Sequence, residues 1–168
     1  YLKSQPVVVF VGAGSVEFTR QLLRDLMTLP ELTECRIVLH DIDRRRLDLA
    51  EQIALTTVRH HRAGASVSAT TDRRRALDGA DFVINMVQVG GIDGTRKDLE
   101  IPAKHGLRQT IGDTTGVGGV FRALRTFPFL AGVAKDMLEL CPDAWLLNYT
   151  NPMAMNCMGL ARGSKIKT

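Results

Sequence analysis

The chain has 168 residues, enough for one domain with a sizeable core and too few for two of ordinary size. Its composition, 45% hydrophobic and 24% charged, is that of an ordinary globular protein, and no run approaches the roughly 18 apolar residues of a membrane span. The formal net charge is +4, but only residues 44–46 and 73–75 form basic runs, and no aromatic residues interrupt them. We therefore expect neither nucleic acid nor a membrane as a partner.

The three cysteines, Cys35, Cys141 and Cys157, are far apart and show no Cys-x-x-Cys spacing. No secretory leader is visible in the sequence. Such cysteines are typical of reduced core thiols, so we expect a cytoplasmic protein.

The first predicted strand is Val7–Val11, a continuous apolar and mostly β-branched run. A run of this kind indicates a strand that is buried on both faces, as in a parallel sheet. It leads into Gly12 and Gly14, and a helical pattern over residues 16–29 follows. In a dinucleotide-binding turn the first glycine permits the tight turn, the second admits the pyrophosphate, and the helix amides bind it. We predict that this turn binds a dinucleotide through Gly12, Gly14, Ser15 and Val16, although Glu17 replaces the usual third glycine.

The rest of the chain alternates strands with helices. The predicted strands are residues 35–40, 67–70, 81–87 and 144–147, and the predicted helices are residues 44–61, 72–77, 96–105, 120–140 and 153–161. Residues 90–94 and 106–119, which are rich in glycine and threonine, are predicted to be loops. This alternation predicts the α/β class, with one doubly wound parallel sheet of the Rossmann-like type across residues 1–168.

Asp41 follows the second predicted strand. In such sheets a carboxylate at this point accepts hydrogen bonds from the adenosine ribose of NAD and disfavours a 2′-phosphate. Asp43 is better placed to cap the next helix. Arg44 offers a 2′-phosphate ligand, so NADP stays open as an alternative to NAD.

The loop after the fourth predicted strand lies at the carboxyl edge of the sheet, where sheets of this kind bind ligands. We predict that Gln88 and Gly90 contact the cofactor there. The alternative is that the glycines of this loop only form a surface turn.

Polar residues in two further segments are candidates for substrate binding. Asp113 lies among glycines and threonines, and Arg122 lies on the first turn of the helix predicted at residue 120. Together with the helix amides they are suited to orient a polyol or an anion, unless the segment is a loop without a ligand. Asn148 and Asn151 follow the fifth strand, where an amide suits a substrate hydroxyl or, alternatively, a helix cap. No metal-ligand spacing, catalytic triad or carboxylate pair can be assigned.

These segments resemble the NAD-dependent glycosidases of glycoside hydrolase family 4, in particular its α-galactosidase, α-glucosidase and α-glucuronidase branch. The similarity covers nearly the whole chain, and its matching segments are residues 10–15, 40–43, 81–85, 88–91, 104–114, 118–126 and 141–156. The block from residue 104 to residue 126 is the most specific, because the glycine turn and the Asn-Pro pair also occur in lactate and malate dehydrogenases.

The resemblance implies hydrolysis of α-galactosides or related α-glycosides, with NAD and a divalent metal, typically Mn²⁺, as cofactors. The implied route is oxidation at the sugar C3, loss of the C2 proton, elimination, water addition and re-reduction, which differs from paired-carboxylate hydrolysis. It also implies that Asn151 contacts the sugar, that Gly12, Gly14, Ser15 and Asp41 hold NAD, and that the complete enzyme is a homo-oligomer.

The catalytic and metal-binding residues of that family would follow Thr168, so none is assigned here. We therefore expect residues 1–168 to be the N-terminal cofactor domain of a longer chain and to be inactive alone. Two alternatives stay open, namely the cofactor domain of an NAD-dependent hydroxy-acid dehydrogenase and a non-catalytic NAD-binding module.

Overall fold

The computed structural model describes residues 3–168. Within them the elements are β1 (Val7–Val11), α1 (Val16–Leu26), a 3-10 turn (Pro30–Leu32), β2 (Arg36–His40), α2 (Arg44–His60), β3 (Ser66–Thr70), α3 (Arg73–Leu77), β4 (Phe82–Asn85), α4 (Gly91–Lys104), α5 (Gly116–Leu140), β5 (Trp145–Asn148) and α6 (Met153–Gly163). The strands pair in parallel in the order β3-β2-β1-β4-β5. This is the strand order of doubly wound dinucleotide-binding sheets, so the predicted fold class is confirmed. No helix among these residues is both long and apolar enough to cross a membrane.

Strand β1 is the centre of the molecule, and all five of its residues are buried. Alternate side chains enter two separate cores, because successive residues of a strand point to opposite faces. Val7, Val9 and Val11 pack on one face with residues of α5 and α6, such as Leu130, Met137 and Leu160. Val8 and Phe10 pack on the other face with residues of α1 and α2, such as Leu23 and Leu47. The prediction that this strand is buried on both faces is confirmed.

The order of the strands reverses at β1, which pairs with β2 on one side and with β4 on the other. Chain connections leave this point toward opposite faces of the sheet, so the loops after β1 and β4 flank a crevice at the carboxyl edge. Ligands of open α/β sheets bind in such a crevice. The candidate site residues lie around it.

Two helices begin earlier than the sequence predicts. Helix α4 starts at Gly91 rather than residue 96, and α5 starts at Gly116 rather than residue 120. A Cβ added to Gly118 would lie 2.6 Å from the carbonyl oxygen of Asp98 and 2.8 Å from that of Gly112. The glycine therefore allows α5 to pack closely against α4, and the prediction of flexible loops was wrong for these residues.

The far end of α5 is tied to α3 by a buried carboxylate. Asp136 accepts hydrogen bonds from Arg73 Nε at 2.8 Å and from Arg74 Nη1 at 2.7 Å. Burial opposes ionisation of Asp136, but the two arginines hold its pKa below its ordinary range. Two arginines of the basic run at residues 73–75 are therefore paired with a carboxylate of α5.

His40, the last residue of β2, is a buried imidazole. Its Nδ1 lies 3.1 Å from the carbonyl oxygen of Thr70, which requires Nδ1 to carry a hydrogen. Burial holds the pKa of His40 below its ordinary value, although the Thr70 carbonyl acts in the opposite direction. The unfolded chain therefore takes up this proton first as the pH falls.

We predict that the free energy of unfolding decreases as the pH falls below about 6.5, the ordinary histidine pKa, and that His40 accounts for part of the decrease. Urea unfolding between pH 7.5 and pH 5 measures it. The His40→Gln variant is expected to show a shallower pH dependence than the unsubstituted chain, whatever its absolute stability. His105→Gln, which changes an exposed histidine, is the matched control, and equal slopes in all three proteins would contradict the prediction.

Candidate functional site

The turn after β1 requires its first glycine. Gly12 has a φ of +88°, in the left-handed region that favours glycine. A Cβ there would also lie 2.9 Å from Val87 Cγ2 and 3.0 Å from the Val87 nitrogen. The amides of Gly12 and Ala13 donate to the His40 carbonyl oxygen at 2.9 and 3.0 Å. The turn is thus fixed between the ends of β2 and β4.

The second glycine lies against the carboxylate of Asp41. The Gly14 amide donates to Asp41 Oδ2 at 2.7 Å, and the Asp43 amide donates to Asp41 Oδ1 at 2.9 Å. A Cβ on Gly14 would lie 2.6 Å from Asp41 Oδ2, so only glycine fits here. Each carboxylate oxygen can accept a second hydrogen bond. Asp41 can therefore receive a pair of hydroxyl groups without leaving its position.

Helix α1 presents its N-terminus to the same turn. Ser15 is the N-cap, and its side chain makes no capping hydrogen bond. The first-turn amides, including that of Val16, have no acceptor within the helix and carry partial positive charge. The exposed Glu17 side chain is held by Arg20, at 2.6 Å, and the hydrogen bonds from Arg20 and Gln21 lower the pKa of its carboxyl. The cradle of two close-packed glycines and free amides fits the pyrophosphate and ribose of a dinucleotide.

Residues 87–90, which we call the cofactor loop after the contact predicted for it from the sequence, follow β4 at the other side of the crevice. Gly90 has a φ of +84° and stands directly before α4. The side chain of Gln88 donates to Thr95 Oγ1 at 2.9 Å and to the Gly91 carbonyl oxygen at 3.2 Å. The Gln88 side chain is therefore held against the start of α4, and its predicted cofactor contact, like that of Gly90, stays a prediction.

A buried amide network joins the ends of β4 and β5. Asn85, which is fully buried, donates to Asn148 Oδ1 at 2.9 Å and to Thr150 Oγ1 at 3.2 Å. Asn148 Nδ2 donates to the Thr150 carbonyl oxygen at 2.9 Å. Both polar atoms of the Asn148 side chain are thus engaged within the protein, and its predicted contact with substrate stays a prediction.

Three of the predicted substrate residues come together. Asp113 Oδ2 lies 3.5 Å from Arg122 Nη1 and accepts a hydrogen bond from Asn151 Nδ2 at 3.3 Å. Arg122 Nε also donates to the Asn151 carbonyl oxygen at 3.1 Å. The Arg122 side chain is only 11% exposed, so its charge is directed into this group. Together they offer a carboxylate, a guanidinium and an amide to a polyhydroxylated ligand.

One local expectation and one alternative for this group were wrong. Because α5 begins at Gly116, Arg122 does not lie on its first turn, and the helix amide of Gly118 is bound by Gln109 Oε1 at 3.0 Å. Asn151 does not cap α6 with its side chain, since Pro152 occupies the N-cap position. Asp43 does cap α2, as predicted, by accepting from the amides of two residues in its first turn.

An ion pair between Arg125 and Asp98 is absent from the sequence-based predictions. Arg125 Nη1 and Nη2 donate to the two oxygens of Asp98 at 3.0 and 2.6 Å, and Nε donates to the Val89 carbonyl oxygen at 3.0 Å. The hydrogen bonds that the guanidinium donates to Asp98 raise its pKa above the ordinary value. Arg125 follows Arg122 by three positions on α5, and this spacing puts both on one helix face. The spacing could have indicated Arg125 as a candidate residue, although not its partner.

Residues 3–168 contain no group of three or more histidine, cysteine, aspartate or glutamate side chains that could hold a metal ion. All three cysteines are free. Burial raises the pKa of the Cys35 and Cys141 thiols to about 11, so neither is a reactive thiolate at neutral pH.

Comparison with known proteins agrees with this arrangement. A family model described as family 4 glycosyl hydrolase matches residues 7–168. An α-galactosidase of Bacillus subtilis (strain 168) is 46% identical over 163 residues, which are 96% of this chain and 38% of that enzyme. A 6-phospho-α-glucosidase from gut microorganisms, solved in complex with NAD and Mn²⁺, is similar with a TM-score of 0.83 at 29% identity, over 95% of this chain and 36% of its own.

A lactate dehydrogenase from Cryptosporidium parvum has a TM-score of 0.68 at 16% identity, over 98% of this chain and 43% of its own. That likeness shows the shared fold alone. The chain spans less than half the length of each of these three proteins. The family model, in contrast, covers nearly every residue, and the resemblance seen in the motifs is confirmed: the chain belongs to family 4 of the glycosyl hydrolases.

Proposed function

We propose that this chain is the NAD-binding part of an α-glycosidase whose foremost substrates are α-galactosides. The observation that carries the proposal is the hydrogen bond from the Gly14 amide to Asp41. It lies directly before the N-terminus of α1, at the point where the strand order reverses. The α-galactosidase that is 46% identical to the chain supports this choice of sugar. Bound NAD supplies a hydride acceptor for oxidation of the sugar.

Asp41 gives the preference for NAD over NADP. Its two oxygens accept hydrogen bonds from the adenosine ribose hydroxyls, and its negative charge repels a 2′-phosphate. The alternative ligand for a 2′-phosphate, Arg44, is exposed and pairs with Asp48 at 2.8 Å along α2. Its guanidinium is therefore directed along the helix rather than over the glycine turn.

Asp113, Arg122 and Asn151 bind hydroxyl groups of the sugar in this proposal. Asp113 accepts from hydroxyl groups, while the Asn151 amide and the Arg122 guanidinium donate to them. Binding by several fixed groups orients one carbon of the sugar ring toward the cofactor, which is the main contribution of positioning residues.

The remaining parts of the proposal rest on the relatives. Mn²⁺ is proposed as a second cofactor because the 6-phospho-α-glucosidase was solved with that ion. We also propose a homo-oligomer in the cytoplasm, with a small glycoside as ligand. The free cysteines support the location.

Substitution of Asp41 tests the cofactor site. Asp41→Asn is expected to weaken NAD⁺ binding by about tenfold or more, because the amide loses one acceptor and the negative charge that charge-assisted hydrogen bonds need. Titration calorimetry with NAD⁺ and with NADP⁺ measures the change, and the unsubstituted chain is expected to bind NAD⁺ more tightly than NADP⁺.

The matched control is Asp43→Asn, two residues away. Asp43 caps α2, and asparagine caps helices about as well as aspartate, so NAD⁺ affinity is expected to stay within about twofold. An equal loss in both variants would mean that the loss does not come from contacts between Asp41 and the ribose.

A chimera tests the activity. We would replace the matched segment of the B. subtilis α-galactosidase with this chain and assay p-nitrophenyl α-galactoside under reducing conditions. Cleavage is expected to require both NAD⁺ and Mn²⁺ and to leave no net NADH, since the hydride returns to the sugar. The Asp41→Asn chimera is expected to need more NAD⁺ for half-maximal rate.

Each other outcome counts against a stated part of the proposal. Cleavage without NAD⁺ would overturn the redox route, and preference for an α-glucoside would change the substrate. Net NADH formation without cleavage would overturn the return of the hydride to the sugar.

Arg122→Gln in the same chimera tests the substrate group. We expect the KM for the glycoside to rise about tenfold, because a donor in a charge-assisted hydrogen bond is lost, while the NAD⁺ requirement stays the same. Arg108→Gln, which changes an exposed arginine, is the control. An unchanged KM in the Arg122 variant would remove it from the sugar site.

A further inference from the structure

The cofactor loop, residues 87–90, is held by two hydrogen bonds to its carbonyl groups. Thr150 Oγ1 donates to the Val87 carbonyl oxygen at 2.9 Å, and Arg125 Nε donates to the Val89 carbonyl oxygen at 3.0 Å. The carbonyls of Val87 and Val89 are thus bound by two different parts of the chain, so the loop is held at two points. Thr150 follows β5 and Arg125 lies on α5.

Arg125 is itself immobilised. Its two terminal nitrogens bind both oxygens of Asp98, whose side chain is only 1% exposed. Asp98 lies on α4, and α4 begins at Gly91, directly after the loop. Loop, arginine, aspartate and helix therefore form a closed ring of contacts, and a shift of the loop would break its hydrogen bond to Arg125.

Two glycines make room for the guanidinium. A Cβ on Gly90 would lie 3.0 Å from Arg125 Nε, and a Cβ on Gly94 would lie 3.1 Å from Arg125 Cζ. Both positions therefore require glycine because a larger side chain would crowd the guanidinium, and at Gly90 this requirement is separate from its left-handed backbone.

The anchored loop has backbone amides that can donate hydrogen bonds to a ligand. Within the described residues, the backbone amides of Gln88, Val89 and Gly90 donate to no protein acceptor. In the proposed function Asp41, at the end of β2, binds the adenosine half of the dinucleotide. The dinucleotide then extends across the point where the strand order reverses. The half that carries the nicotinamide then lies over β4 and the cofactor loop.

We propose that Arg125 and Asp98 are positioning residues that set the affinity for the nicotinamide half of the dinucleotide by holding the cofactor loop in its binding conformation. The proposal rests on NAD binding as the proposed function. If the two residues had a purely structural role, substituting them would lower stability. The ratio between the affinity for the complete dinucleotide and the affinity for its adenosine half would then stay the same.

The test compares NAD⁺ with ADP, which has the adenosine and pyrophosphate groups but no nicotinamide. Arg125→Lys keeps the charge and loses the fork that reaches both Asp98 and Val89. We expect the Kd for NAD⁺ to rise about tenfold and the Kd for ADP to change less than about twofold. Arg96→Gln is the control, since exposed Arg96, which lies on α4 like Asp98, pairs with exposed Asp93 at 3.6 Å.

Gly94→Ala keeps the test decisive if the lysine variant does not fold. Alanine in a helix interior is intrinsically more stable than glycine, but its methyl group would press on the guanidinium. We expect the Kd for NAD⁺ to rise about threefold, with ADP binding unchanged and without loss of the thermal unfolding midpoint. Weaker NAD⁺ binding without lower stability is a result that a merely structural role does not produce.

Two results overturn the inference, and they can be told apart. If the unsubstituted chain binds NAD⁺ and neither variant changes the ratio of the two Kd values, Arg125 and Asp98 only support the fold. If the unsubstituted chain binds neither NAD⁺ nor ADP, the proposed function fails and the inference fails with it.

Discussion

The hydrogen bond from the Gly14 amide to Asp41 joins the two strand ends on which the cofactor side of the molecule depends. The other Asp41 oxygen accepts from the Asp43 amide, and Asp43 in turn caps α2. A continuous set of hydrogen bonds thus runs from the turn after β1 to the start of the second helix. Because these groups are ordered before a ligand arrives, binding need not include the entropic cost of ordering them.

The other side of the crevice is ordered by a different means. There the buried amide of Asn85, the half-buried amide of Asn148, the Thr150 hydroxyl and the Arg125 guanidinium hold the strand ends and the cofactor loop. Buried polar groups are costly unless their hydrogen bonds are satisfied, so such a network specifies one arrangement more strictly than apolar packing does. The two halves of the site therefore respond differently to substitution, since one depends on close backbone approach and the other on side-chain partners.

The parts of the structure that depend on local sequence were predictable. The apolar run of β1 and the Asp43 cap need only their neighbours in the chain, and both are confirmed. The start of α5 was not predictable, because Gly118 is required by close packing against the Asp98 carbonyl of another helix rather than by a loop. The Arg125–Asp98 pair likewise joins residues 27 positions apart, and only the packing of two helices brings them together.

Helix α5 connects the two binding groups of the proposed function. Arg122 holds Asp113 and Asn151, while Arg125, about 4.5 Å further along the helix axis, holds the cofactor loop. The far end of the same helix is tied to α3 through Asp136. Hydride transfer requires reacting atoms at about 3–3.5 Å, and a displacement of 1 Å is costly. In the proposed function, one helix positions both the sugar and the nicotinamide half, and this meets the requirement more directly than two independent loops would, since a movement of this part of α5 shifts both groups together.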